Sequence, residues 1–328
     1  MLRGLASVLT LLFILVSANE SQGSQIPVPE AFGQISGAIG AASSGDTINV
    51  NSTANFDPVT INKALLIRSI NGLTPSITAS GASPAVLVTA SNVSVRGITL
   101  RGASPGIAVQ VNDGLGGTLF EDCTITTSGT ANLGIVGNEN LTVRRCTFTN
   151  LSTQAIGPTY SSPCSSRVGT LTVETCVFDA CGVNFNCVAT ANLCYSTLDG
   201  SVYATYGLPS SNSLVDRTII ANCSTAFSNG CPATITHSIL FNTSIGTGCS
   251  ASGQLTDDPL FCNSREGLPQ KYTLRSTPQR QSTTTPGASK WVPKGWNALG
   301  EVWSEMPSSM WTRSCSALKT LPFRVERS

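Results

Sequence analysis

The chain has 328 residues, of which 41% are hydrophobic and only 11% charged, against roughly 25% charged in ordinary soluble domains. Its net charge is +1 and its pI near 7.4. No single-sign field is therefore available to gather nucleic acid or an anionic membrane, which excludes both as partners. The length is enough for a sizeable core without a second globular domain.

The first segment carries Arg3, an apolar run from Leu5 to Val16 and the small-residue pattern Val16-Ser17-Ala18. This reads as a secretory signal peptide, residues 1–18, cleaved after Ala18, because the run is too short to span a bilayer. No later stretch is long and apolar enough to serve as a transmembrane segment. Twelve Cys in an exported chain point to an oxidising compartment: secreted, at the cell surface, or in the periplasm of a Gram-negative host. Residues 19–29 read as a flexible lead-in. From Glu30 to Ala42, Ile35, Ala38, Ile39 and Ala42 fall on one helical face, and Gly45-Asp46 supplies the stop. Such a helix would cover the open edge of a repeat array. Thr47–Val50, Pro58–Ile61 and Leu65–Ser69 then read as strands.

Beyond Leu65 one short pattern recurs: apolar, x, apolar, x, x, small, x, apolar. Its clearest copy lies in Leu141–Asn150, with Cys146 at the small slot. That slot holds Ile98, Cys123, Cys146, Cys176, Ser196, Thr218 and Ser238, at steps of 25, 23, 30, 20, 22 and 20 residues. A period of this length marks a solenoid whose units bury their apolar face only by stacking. Counted from the small slot, positions −5, −3, 0 and +2 point inward and those between point outward. Val95, Phe120, Val143, Val173, Leu193, Val215 and Ile235 then share one inward column, and Leu100, Ile125, Phe148, Phe178, Leu198, Ile220 and Leu240 another. Asn150, Asn222 and Asn242 fall at slot +4, where the strand turns and amides can stack. The long step from Cys146 to Cys176 places an outward loop at 152–168. About nine or ten rungs follow from the period.

Cys123, Cys146 and Cys176 share the inward small slot, either as thiols filling space or within disulfide reach of one another. Cys181 with Cys187, Cys223 with Cys231 and Cys249 with Cys262 are the local pairs that spacing suggests. Asn51, Asn92, Asn140, Asn150, Asn222 and Asn242 each begin an N-glycosylation triplet, a pattern that a chain rich in Asn, Ser and Thr also produces by chance. Residues 275–328 change character: all four Trp lie there, with eight Lys and Arg against three Glu and no Asp. This tail reads as poorly ordered, as a misread end, or as a Trp-bearing contact surface.

The opening Ala41–Val50 and Pro58–Ile67, with the closing Asp258-Pro259-Leu260-Phe261, resembles right-handed parallel β-helix proteins of the pectin-lyase-like superfamily, and is similar to its exported members with Cys-rich rungs. The likeness covers residues 30–274. It implies an all-β, right-handed parallel β-helix with a short N-terminal capping helix. It implies little about activity, since the superfamily includes lyases, hydrolases, epimerases, adhesins and proteins without known chemistry. The Asn-Thr-Asp and Gly-His-Gly signatures of polygalacturonases are missing.

Outward charges alternate at slot −2 (Arg96, Glu121, Arg144, Glu174), and Asp122 faces Arg145 at slot −1, as surface pairing requires. Asp179 and Asp199 break the rule, falling at slot +3 of consecutive rungs with no cation between them. They are candidates for acid and base in glycoside hydrolysis or for holding calcium, although each also precedes good turn residues. Asp216, Arg217 and His237 form a second candidate group, suited to proton abstraction beside a uronate. His237 is the only His, so no imidazole base exists elsewhere. Asp257-Asp258 precedes Pro259 and reads as a turn. No cofactor is required, calcium being the one ion these carboxylates would take. The expectation is a monomeric, non-catalytic secreted or cell-surface protein presenting a polar face to a polysaccharide or cell-surface glycan. The competing expectation is a polysaccharide lyase or glycoside hydrolase acting through Asp179, Asp199, Asp216, Arg217 and His237.

Overall fold

The computed structural model describes residues 23–255 except 105, 130–132, 138–139, 153, 159–166, 248 and 250–253. Residues 1–18, read above as a signal peptide, with Asp257-Asp258, the closing segment and the 275–328 tail, lie outside these residues. The described chain winds as a parallel β-helix with three sheets, of ten, ten and eight strands. Each turn contributes one strand to the first sheet, one to the second and one to the third. Pairing is in register from rung to rung: Val95, Phe120, Val143, Val173, Leu193, Val215 and Ile235 align in the first sheet. Leu100, Ile125, Phe148, Phe178, Leu198, Ile220 and Leu240 align in the second. All of these are buried except Ile235, which is partly so. Within the second column, the Phe148 and Phe178 rings stack at 4.7 Å and 9°.

The third sheet lies outside the repeated pattern; of its strands only Val59–Ile61, within the predicted Pro58–Ile61, was read from the sequence. Its strands are short, and Gln154–Gly157 lies in the stretch read as a loop. Its inward column runs Val109, Ile135, Ile156, Val183, Thr205 and Phe227. Thr205 is accommodated there because its hydroxyl donates to the Ala226 carbonyl at 2.9 Å. Backbones approach closely beside this column: a Cβ on Gly182 would sit 2.0 Å from the Tyr203 carbonyl oxygen.

Two corners of each turn are made by one left-handed residue. At the first, slot −1 holds Gly97, Asp122, Arg145, Thr175, Tyr195, Arg217 and His237, with φ between 48° and 68°. At the second, slot +4 holds Asn150, Ala180, Gly200, Asn222 and Asn242, with φ between 47° and 74°. Five of the six Asn that begin glycosylation triplets, all but Asn51, are left-handed, a conformation in which Asn is enriched: Asn150, Asn222 and Asn242 at the second corner, and Asn92 and Asn140 shortly before first-sheet strands. The expected amide stack forms between Asn242 and Asn222, at 3.0 Å, whereas Asn150 bonds Thr126 instead.

The small slot follows the first corner, and its side chains do more than fill space. Ser196 donates to the Cys194 carbonyl at 2.9 Å and accepts the Cys176 N–H at 3.1 Å. Ser238 does the same with the Thr236 carbonyl and the Thr218 N–H. Cys123, Cys146 and Cys176 each reach the carbonyl two residues back at 3.3 Å. Backbone hydrogen bonds from Ile98 and Cys123 return to the sulfurs of Cys123 and Cys146. The second corner repeats the device: Thr243 donates to Phe241 and accepts the Cys223 N–H.

These thiols are free and buried, so the small-slot Cys form no disulfides with one another. The three local pairs suggested by spacing are not those formed. Cys181 and Cys223 are free, Cys231 bonds Cys249, and Cys187 and Cys194 are each in disulfides. The reason is geometric: Cys181 and Cys223 follow second-corner residues and point into the core, which removes them from neighbours near in sequence.

At the N-terminal end, the helix is Ile35–Ala41, shorter than the 30–42 stretch, and buries Ile35, Ala38 and Ile39. Lys63 donates to the Ile39, Gly40 and Ala42 carbonyls at 3.0, 2.9 and 2.6 Å, closing the helix end where a cation is favoured. The lead-in is not loose throughout: Gln25–Val28 is a strand paired to Thr47–Val50, because Val28 is fully buried and Ile26 packs against the core.

Two measurements test this packing. Ser196→Ala strands the Cys176 N–H in the core and is expected to cost about 1–3 kcal/mol in urea unfolding, with Ser196→Cys costing less. Burial pushes the Cys123, Cys146, Cys181 and Cys223 thiols up, the first two well above the usual range. Maleimide labelling with peptide mapping should therefore leave these four unmodified in native protein and modify them in urea.

Candidate functional site

The five residues singled out from sequence separate into two places. Asp179 and Asp199 are direct neighbours in the second sheet. Asp199 is buried, and its Oδ1 accepts the Asn222 amide at 2.8 Å. The pair therefore sits side by side along a sheet and leads into the second corner, with Asp199 serving the corner amide ladder. Among the described residues no group of three or more His, Cys, Asp or Glu is placed to hold a metal ion.

Asp216, Arg217 and His237 do come together, on the outward side of the first corner. The Asp216 carboxylate is nearly buried. It accepts Arg217 Nη1 at 2.6 Å and Thr236 Oγ1 at 2.6 Å, and His237 Nδ1 lies 3.2 Å from it. Arg217 also donates to the Tyr195 hydroxyl at 3.0 Å, with its guanidinium 5.3 Å from the centre of that ring. Burial raises the Tyr195 hydroxyl above its usual pKa, and the Arg217 charge opposes the shift. Tyr195 and Thr236 were not singled out from the sequence. The rung index places Tyr195 in the same slot as Arg217 and His237, which is the signal that would have found it.

The same corner geometry builds a larger ion-pair network farther along the first sheet. Buried Glu121 accepts Arg144 Nε at 2.7 Å and Arg145 at 2.6 Å. Arg145 also grips Asp122 through two nitrogens at 2.7 and 2.8 Å, which holds its guanidinium above its usual pKa. Arg96 Nε lies 3.0 Å from Glu121 without the alignment of a hydrogen bond, so its contribution is charge pairing. Glu174 continues the column, and burial raises its carboxyl pKa against the pull of Arg144 and Arg145. The alternating column read from slot −2 is thus a working ladder of pairs.

The family described as right handed beta helix region matches residues 38–196 and 84–258, most of the chain between them. The chain belongs to the right-handed β-helix family. A comparison with curated protein sequences finds no match. Similar folds among solved structures include pectin methylesterase PemA from Erwinia chrysanthemi, at 13% identity and TM-score 0.35, covering 71% of this chain and 92% of that one. A mutant of the PL6 family alginate lyase AlyGC is similar at 12% identity and TM-score 0.36, covering 67% of this chain and 39% of that one. A pectin methylesterase in complex with a hexasaccharide is similar at 14% identity and TM-score 0.34, covering 70% of this chain and 90% of that one. In this β-helix the candidate residues are read from their own contacts.

Those contacts saturate Asp216, so the cluster acts as a pin that ties three neighbouring rungs. Asp216→Ala should cost about 1–3 kcal/mol of unfolding free energy, because Arg217 and Thr236 lose a partly buried anionic partner. Chemical denaturation with matched Asp216→Ala and Asp179→Ala proteins checks this, Asp179→Ala being the milder change.

Proposed function

We propose that this β-helix is an exported, non-catalytic protein that binds a polysaccharide or cell-surface glycan along its second sheet. The observation that carries the reading is a single outward column of hydroxyls. Ser76, Thr99, Thr124 and Thr147 stand on consecutive paired strands, and Thr197 follows after Val177. All are partly exposed, with no charge in the column. Parallel pairing spaces them about 4.8 Å apart, close to the length of one sugar residue in an extended chain. A repeating ligand can then meet a repeating surface, and many weak hydrogen bonds act together.

Two further features support the binding role over the enzymatic one. Asp199 is buried and its Oδ1 accepts the Asn222 amide at 2.8 Å, and Asp216 stands on the first sheet rather than the second. Asp216 is occupied by Arg217, Thr236 and His237 within its own cluster. Export is consistent with the Cys231–Cys249 disulfide and with the absence, among the described residues, of a helix able to cross a membrane.

The test is retention of the full-length protein on immobilised plant, algal and bacterial polysaccharides, with and without calcium, alongside assays for new reducing or unsaturated ends. Retention without new ends is expected, weakened by the double change Thr124→Val and Thr147→Val. New ends that disappear in Asp199→Ala or in Arg217→Ala would make the protein an enzyme and overturn the reading.

A further inference from the structure

The coil surface is almost free of exposed large apolar side chains. Among the described residues only Val168, Val202 and Tyr203 qualify, at 38%, 63% and 49% exposure, and two of these are adjacent. Tyr203 belongs to the third-sheet strand Tyr203–Tyr206, away from the candidate sites above. The Tyr206 ring lies 6.2 Å from it, tilted by 56°. The Asn229 amide donates to the Tyr206 hydroxyl at 2.9 Å, which fixes that ring. On the next strand, Thr225 pairs with Tyr203 and Ser228 with Tyr206.

Thr225, Ser228 and Asn229 also line an open groove whose other wall includes Ser244, Gly246 and Thr247. Among the described residues, none that lines this groove is charged. The Cys231–Cys249 disulfide joins the ends of the two walls, so the groove is held in shape before anything binds. An exposed aromatic ring flanked by hydroxyls and an amide is chemically matched to a sugar ring, which offers an apolar C–H face and a polar rim. Arg167 reaches the residue after Tyr206, where its Nη1 donates to the Gly207 carbonyl at 3.2 Å and is engaged there.

We propose that Tyr203 and Tyr206, with Ser228 and Asn229 beside them, form a stacking subsite for a neutral sugar residue at the C-terminal end of the coil. The subsite rests on the glycan-binding reading and adds to it a place and a ligand class. The exposed Tyr203 ring supplies the stacking face, and the fixed Tyr206 and Asn229 pair orients the sugar rim.

Titration calorimetry of the full-length protein tests this with cellohexaose, mannohexaose, xylohexaose and laminarihexaose, using oligogalacturonate and oligoalginate as acidic controls. At least one neutral hexasaccharide should bind. Tyr203→Ala should weaken it about tenfold, the loss of one aromatic contact, while Tyr203→Phe stays near wild type. Unchanged urea midpoints would confirm that both variants fold. Equal affinity of Tyr203→Ala and wild type, or preference for the acidic oligomers, overturns the subsite while leaving the second-sheet reading in place. If the wild type binds no hexasaccharide and is retained on no polysaccharide, the glycan reading itself falls.

Discussion

A coil that turns on a single residue must leave a backbone N–H facing a dry interior at each corner. In this protein the next rung supplies the acceptor. After several of the left-handed positions stands a small side chain that donates to the carbonyl two residues back and accepts the N–H from the rung before, as Ser196, Ser238 and Thr243 do, while Ile98 and Leu151 fill the equivalent places with apolar side chains. Ser, Thr and Cys are the small residues able to do both. That requirement explains why the slot after Ile98 holds Cys, Ser and Thr, and why Cys123, Cys146 and Cys176 are buried and free of disulfides. The apolar columns stay in register because each corner is fixed to the next.

The same corner governs the outward surface. Left-handed residues on successive rungs splay side chains into one column, so whatever occupies slot −1 is brought together regardless of sequence distance. In mid-coil this produces the Asp122 and Arg145 pair beside buried Glu121; farther along it gathers Tyr195, Arg217 and His237 over Asp216. Both assemblies are satisfied internally. Charge on this face therefore fastens rungs to one another, each exposed pair contributing a modest amount and the buried carboxylates more.

With the charges of these two assemblies engaged, much of the remaining outward surface is hydroxyl and amide, with a little aromatic. A hydroxyl column repeats with the rung along the second sheet, and a tyrosine shelf beside an uncharged groove closes the described end of the coil. The two fit a common class of ligand at different scales. The column suits a polymer with a matching repeat, and the shelf suits one ring of it.

The period, the inward columns and the capping role of the N-terminal segment were legible in the residues, because strand alternation and a fixed rung length express themselves directly as spacing. Arg144 between Glu121 and Glu174 was equally readable, since in-register parallel pairing maps equal slots onto neighbours. The third sheet beyond Val59–Ile61 was not: its strands are only a few residues long, and small residues such as Gly182, set where backbones nearly touch, erase the alternation. Disulfide pairing was also out of reach, since it depends on which side of a corner each Cys faces, as Cys181 and Cys231 show. Likewise, the rung index put Asp199 and Asp216 in different slots and separate groups, but only the tertiary structure decided that a corner sets those slots on different sheets. The bend between those sheets is made by one left-handed residue per rung, and its direction is a property of the backbone that no residue type states alone.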